Sequence, residues 1–242
     1  MKHFLSAIRF LTILPIGTSG EFQPRSMIAC FPLAGLVIGM LLALSDILFS
    51  RLWPNSISAL LDVVLLVVLT GAFHIDGLGD SADGLYGYRS RVKALAIMKD
   101  SRIGAMALSA IVCTLAVKWA GLAGIVEDRF IFLLIIPAYA RTTTLFGFYF
   151  LPYGRPNGGT GHAFFKDPVT LKAFRYFTLP VILSLFSGWR GILLNLIFGF
   201  TLILILGYYR KKMGCITGDM LGAMVEIMEA VLFLAASIGG NL

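Results

Sequence analysis

The chain has 242 residues, of which 58% are hydrophobic and only 14% charged, and its mean hydropathy is +0.87. Soluble domains carry roughly 25% charged residues, so this composition excludes a water-soluble globule and predicts one all-α, polytopic membrane bundle over residues 1–242. Twenty Lys and Arg against 13 Asp and Glu leave a net charge of +7, which in so apolar a chain points to loops facing anionic lipid and not to nucleic acid.

In chain order, the first element is an amphipathic helix with Phe4, Leu5, Ile8 and Leu11 on one side. It lacks a small-residue cleavage site, so it is expected to be retained. Long apolar runs then predict about seven spans, near 28–50, 57–75, 103–126, 130–151, 176–188, 191–209 and 220–238. Ser187 to Arg190 reads as a turn with interfacial anchors, which splits 177–209 into two helices; a single long helix there would leave six spans. With the N-terminus inside, fifteen of the twenty basic residues fall on the same side of the membrane. The positive-inside rule therefore predicts a multi-pass membrane protein with its N-terminus and basic loops on the cytoplasmic side. Cys30, Cys113 and Cys215 are odd in number and widely spaced, which predicts packing residues and no disulfide framework or zinc site.

Chemistry concentrates where the second run ends, in Phe73-His74-Ile75-Asp76-Gly77-Leu78-Gly79-Asp80-Ser81-Ala82-Asp83-Gly84. Asp76, Asp80 and Asp83 stand at i, i+4 and i+7, within about 60° of one helical face. Clustered carboxylates repel one another unless a cation sits among them, and hard oxygen ligands suit Mg²⁺ completed by substrate phosphate. The alternative is that Asp80 and Asp83 are a solvated helix end or helix caps. Arg89, Arg91, Lys93, Lys99 and Arg102 follow directly and could clamp a pyrophosphate, though a positive-inside loop explains part of that cluster.

Asp219 opens the last apolar run, and Glu226 and Glu229 lie inside it. Carboxylates at membrane depth are costly and mark either function or pairing, here with Arg141 or Lys118. Tyr153 to His162 forms a glycine-rich loop containing Arg155, suited to cradling phosphate or to connecting helices. It lacks the Walker pattern, and Gly77-Leu-Gly-Asp-Ser-Ala82 matches the dinucleotide fingerprint without the βαβ unit that would give it meaning.

The stretch from Thr70 through Gly87, continuing through Arg89, Arg91 and Ile97-Met-Lys-Asp-Ser-Arg-Ile-Gly104, closely resembles the hallmark of the cobalamin synthase family. Tyr139-Ala-Arg141 and Gly214-Cys-Ile-Thr-Gly-Asp-Met-Leu-Gly-Ala223 agree in order, so the resemblance covers nearly the whole chain. It implies a Mg²⁺-dependent transferase that joins adenosylcobinamide-GDP to α-ribazole or its 5′-phosphate and releases GMP. It also implies partners among the corrinoid and ribazole substrates, membrane lipid and other late cobalamin-pathway enzymes. On this reading Asp76, Asp80 and Asp83 hold the metal, and Arg89, Arg91, Lys99, Arg102, Arg141 and Arg155 bind phosphate. Asp100, Asp219 and Glu226 are the catalytic candidates, with Asp100 or Asp219 taking the attacking proton.

Two other classes compete. CDP-alcohol and prenyl-type transferases also bind pyrophosphate through spaced aspartates, but the pattern D-x-x-D-G-x-x-A-R begins at Asp80 and then meets Gly87-Tyr88 where Ala-Arg belongs. An ion-coupled transporter would use Lys118, Arg141, Glu226 and Glu229 and leave the aspartate and arginine clusters without a task.

Overall fold

The computed structural model describes residues 2–17, 23–155, 161–165 and 168–239. Among them it contains eleven α-helices and no named strand: α1 (Lys2–Leu11), α2 (Pro24–Ile28), α3 (Phe31–Leu52), α4 (Asn55–Thr70), α5 (Phe73–Leu85), α6 (Arg91–Ile97), α7 (Ala105–Gly124), α8 (Arg129–Phe150), α9 (Thr178–Ser184), α10 (Gly188–Lys212) and α11 (Gly218–Ala236). Short 3-10 segments lie at His162–Phe165, Leu171–Phe177 and Leu185–Ser187. The all-α membrane bundle is thus present. The amphipathic first helix is present too, with Ala7, Ile8 and Leu11 buried against the bundle.

Four helical stretches are long and apolar enough to cross a bilayer, at 31–52, 105–124, 129–150 and 171–212, and α4 with α5 makes a fifth if that bent pair is one span. This is fewer than the seven spans expected, for three physical reasons. The run 57–75 breaks at Gly71 and Ala72, both left-handed (φ 58° and 56°), and α5 leaves α4 at 91°. The run 220–238 is α11, which carries three carboxylates, Asp219, Glu226 and Glu229, too much charge to count with those four, although Glu226 and Glu229 are paired inside the bundle with Lys118 and Arg141. The first half of 177–209 supplies only the seven-residue α9. The turn expected near Ser187 is nevertheless real: Asn195 Nδ2 donates to Ser184 Oγ at 2.8 Å, and Tyr139 OH reaches both Ser184 Oγ (3.2 Å) and Asn195 Oδ1 (2.7 Å). Side chains eleven residues apart would be about 16 Å distant along a straight helix, so the chain doubles back.

α11 is the axis of the fold, packed by α5, α7, α8 and α10. α3 lies along α8 so closely that a Cβ on Gly39 would stand 2.0 Å from the Leu134 carbonyl oxygen. Such small-residue seams replace the hydrophobic drive that lipid cannot provide. At one end of α7, Arg129 ties three helices together. Its Nε and Nη2 donate to Asp46 at 2.8 and 2.7 Å, Nη2 also meets Asp62 at 3.1 Å, and Nη1 donates to the Leu122 and Ile125 carbonyls.

Candidate active site

The opposite end of α7 carries the chemistry. α5 approaches α11 backbone to backbone there: a Cβ on Gly77 would lie 2.7 Å from the Asp219 carbonyl oxygen, and one on Gly222 would lie 3.2 Å from that of His74. This contact brings the two acidic segments together. Asp76, Asp83 and Asp219 lie close enough to press their negative charge on Asp80, and Arg155 opposes them.

Asp219 sits in the first turn of α11, whose N-terminus Thr217 caps by accepting from Met220 N at 3.2 Å. The Pro152–Arg155 segment is held beside it by two backbone bonds, Gly154 N to Ile216 O (2.8 Å) and Ile216 N to Pro152 O (2.9 Å). Arg155 Nη2 thereby reaches Asp219 Oδ2 at 2.7 Å. Residues 156–160 of the glycine-rich loop lie outside the described residues.

Asp76 and Asp80 open into a cavity of about 300 Å³ whose other walls include Lys99, Asp100, Arg102 and Ile103. Asp100 and Arg102 form a two-pronged pair at its exposed lip, with Nε to Oδ1 at 2.9 Å and Nη2 to Oδ2 at 2.5 Å. Those hydrogen bonds hold the Asp100 carboxyl at about 2, below the ordinary carboxylate range. Asp100 is therefore anionic at any working pH and has little affinity for a proton.

Asp83 has a different task from its two partners. Its Oδ2 accepts from Gly104 N at 2.6 Å and its Oδ1 from Ala107 N at 3.0 Å, so it caps α7 from across the chain. A Cβ on Gly104 would sit 2.5 Å from that carboxylate. Both oxygens are committed to backbone donors, and among the described residues no three Asp, Glu, His or Cys side chains converge as a ready metal cage. Asp83 thus takes the capping role that was the alternative reading of the sequence, because the chain returns to α5 after the α6 excursion. Arg89 is likewise structural in this arrangement, since its Nη1 donates to the Asp83 carbonyl. Arg91 begins α6 behind the Ser90 cap, apart from the cavity walls.

The intramembrane charges form a separate group. Lys118 Nζ meets Glu226 Oε2 and Glu229 Oε2, each at 2.6 Å, and Arg141 Nη1 meets Glu229 Oε1, all four residues being buried. Two cations and two anions cancel. Arg141 and Glu226 therefore sit in a neutral quartet about 10 Å or more along α11 from Asp219, not at the aspartate cavity. His74 is buried close by, with its Nδ1 unpartnered among the described residues. Sequence reasoning overlooked the Asp46–Asp62–Arg129 cluster, although two carboxylates inside apolar runs were its signal. It also treated all three cysteines alike, whereas Cys113 is exposed and the other two are buried.

The family model for cobalamin-5-phosphate synthase matches residues 3–237. The chain belongs to the cobalamin-5-phosphate synthase family. As a member it is a transferase. Curated relatives are named adenosylcobinamide-GDP ribazoletransferase. That of Alkaliphilus metalliredigens is 34% identical over 100% of this chain and 98% of its own length. The relative from Roseiflexus sp. is 38% identical over 93% of this chain and 85% of its own, and that from Herpetosiphon aurantiacus is 35% identical over 96% and 94%. No solved structure matches. Membership sets aside the CDP-alcohol, prenyl-type and transporter readings.

Proposed function

We propose that the chain transfers the adenosylcobinamide-phosphate moiety of adenosylcobinamide-GDP to α-ribazole or its 5′-phosphate, releasing GMP, at the cavity bounded by Asp76, Asp80, Lys99 and Arg102. The observation that carries this is the meeting of three carboxylates, Asp76, Asp80 and Asp100, and two cations, Lys99 and Arg102, around one cavity of about 300 Å³ in a chain whose relatives bear that activity as their name.

The residues fit Mg²⁺. That ion uses one or two carboxylates plus substrate phosphates more often than a complete protein cage, and Asp76 and Asp80 face the cavity while neighbouring carboxylates load it with negative charge. Bound there, Mg²⁺ would screen the pyrophosphate and the charge developing on the leaving GMP. Lys99 and Arg102 line the same space and would hold phosphate oxygens from the exposed lip, Arg102 kept in place by Asp100. Phosphoryl transfer of this kind depends mainly on positioning and charge neutralisation. Of the two candidates for the attacking hydroxyl's proton we assign Asp219, because Asp100 is tied to Arg102 and is too weak a base. Arg155, ion-paired to Asp219, fixes its orientation. Glu226 and Arg141 serve the reaction from a distance, by holding α11 against α7 and α8. The cavity lies at the α7 end that carries the basic loops, which the positive-inside rule assigns to the cytoplasmic side of a prokaryotic inner membrane.

The test is product formation by purified protein in lipid vesicles given adenosylcobinamide-GDP and α-ribazole 5′-phosphate. The reading requires GMP and a corrinoid product in equal amounts, both abolished by EDTA and restored by Mg²⁺. Intact substrates after incubation with folded protein would reject it.

A further inference from the structure

A second cavity, larger than the aspartate site, lies elsewhere among the described residues. It lies behind α5, between α5, α7, α10 and α11, with a volume of about 610 Å³ and walls that include Leu78, Ser81, Ala110, Cys113, Tyr208 and Ala223. Sites of 300 to 1,000 Å³ with mostly apolar walls and a few placed polar groups are of ligand-binding size and character. Three observations indicate what this one takes.

The first is its place. α7 and α10 both belong to stretches apolar enough to cross the bilayer, and Cys113 on α7 and Tyr208 on α10 are exposed at the cavity, so it opens on the surface that lipid covers. The second is charge. α10 ends in Arg210, Lys211 and Lys212, none of which has a carboxylate partner among the described residues, and Lys212 Nζ donates to the carbonyl of Gly87 on the cavity lip. The third is an unmet hydrogen bond: Ser81 belongs to the cavity wall, and its buried Oγ, with no partner among the described residues, needs only a turn about χ1 to reach an acceptor in the cavity. A buried hydroxyl without an acceptor is unfavourable.

We propose that this cavity holds one acyl chain of an anionic glycerophospholipid, its phosphate at the Lys212 end and an ester carbonyl accepting from Ser81. An apolar chain satisfies the walls, the basic end of α10 attracts the negative headgroup, and the ester supplies the acceptor. The consequence is mechanical. α5 carries Asp76 and Asp80 on one flank and borders this cavity on the other, so the lipid braces the helix that bears the reactive carboxylates. The inference does not depend on which reaction those carboxylates serve.

Cys113 reports occupancy directly, because Cys30 and Cys215 are buried and a single alkylation is expected. Full-length protein in detergent is treated with N-ethylmaleimide alone, with dioleoylphosphatidylglycerol, with dioleoylphosphatidylcholine or with α-ribazole, and followed by intact mass. At ten times its dissociation constant the glycerol lipid should slow alkylation about tenfold, and the choline lipid distinctly less. Lys212→Gln should remove the difference between the two lipids. Native mass spectrometry should find phosphatidylglycerol retained on the unaltered protein and lost from Ala110→Phe, which fills the cavity. Equal rates with and without lipid, equal protection by both lipids, or protection by α-ribazole but not by lipid would overturn the proposal, the last by giving the cavity to the acceptor's base.

Discussion

Replacing Lys118 by Met tests how far the buried quartet supports the bundle. The side chain is 3% exposed and its ammonium lies 2.6 Å from both Glu226 and Glu229. Lys118→Met has similar length and leaves two carboxylates facing the single guanidinium of Arg141. Removing one partner from a buried ion network costs about 3–5 kcal/mol, because the remaining charge is stranded in a medium that cannot solvate it. For a chain of this size 1 kcal/mol shifts the melting temperature by roughly 2–4 °C, so the variant should melt about 6–20 °C lower in detergent. The double variant Lys118→Met, Glu226→Gln restores neutrality, leaving Arg141 with Glu229, and should recover more than half of that loss. Melting curves by intrinsic fluorescence, with the three proteins in one detergent, decide the matter. A single variant as stable as the original chain, or a double variant no better than the single, would refute the charge-balance argument.

Three further outcomes follow from the site. Gly77→Ala places a Cβ against the Asp219 carbonyl oxygen, so it should push α5 off α11 and reduce turnover at least tenfold while leaving membrane insertion intact, as measured on vesicle-reconstituted protein. Asp83→Ala removes the cross-chain cap of α7 and should cost about 1–2 kcal/mol of stability, read as a lower melting temperature; an unchanged value would show that the cap contributes nothing. Asp100 is held at about 2 by Arg102, so its titration is complete well below neutral pH, and Asp100→Asn should weaken binding of the pyrophosphate substrate without moving the acidic limb of the pH–rate profile. A shifted limb would make Asp100 the base.

Much of this arrangement was legible in the sequence, and the limits of that legibility are physical. Apolar run length gave the helices, because in lipid every backbone group must be satisfied within the helix itself. The i, i+4, i+7 spacing put Asp76, Asp80 and Asp83 on one face of a helix that the structure confirms over Phe73–Leu85. Spacing cannot say what that face meets: Asp83 turned out to face the start of α7, a contact 21 residues away. The bend between α4 and α5 rests on two left-handed residues, one of them Ala72, a conformation that alanine does not advertise. Pairing of Glu229 with Arg141 and Lys118 was one of two readings open from burial cost alone. Only packing of α7 and α8 around α11 could choose between them. Nothing in the sequence singles out Arg129, and it took the fold to place Asp46 and Asp62 around it.

The most direct test of the account is single-turnover transfer by Asp80→Asn beside the unaltered chain, in the same lipid vesicles, with adenosylcobinamide-GDP limiting and GMP and corrinoid product followed together. Asparagine keeps the shape and removes the charge that faces the cavity. The account predicts normal insertion and melting with product formation reduced at least a thousandfold, and a transfer rate within threefold of the original would contradict it.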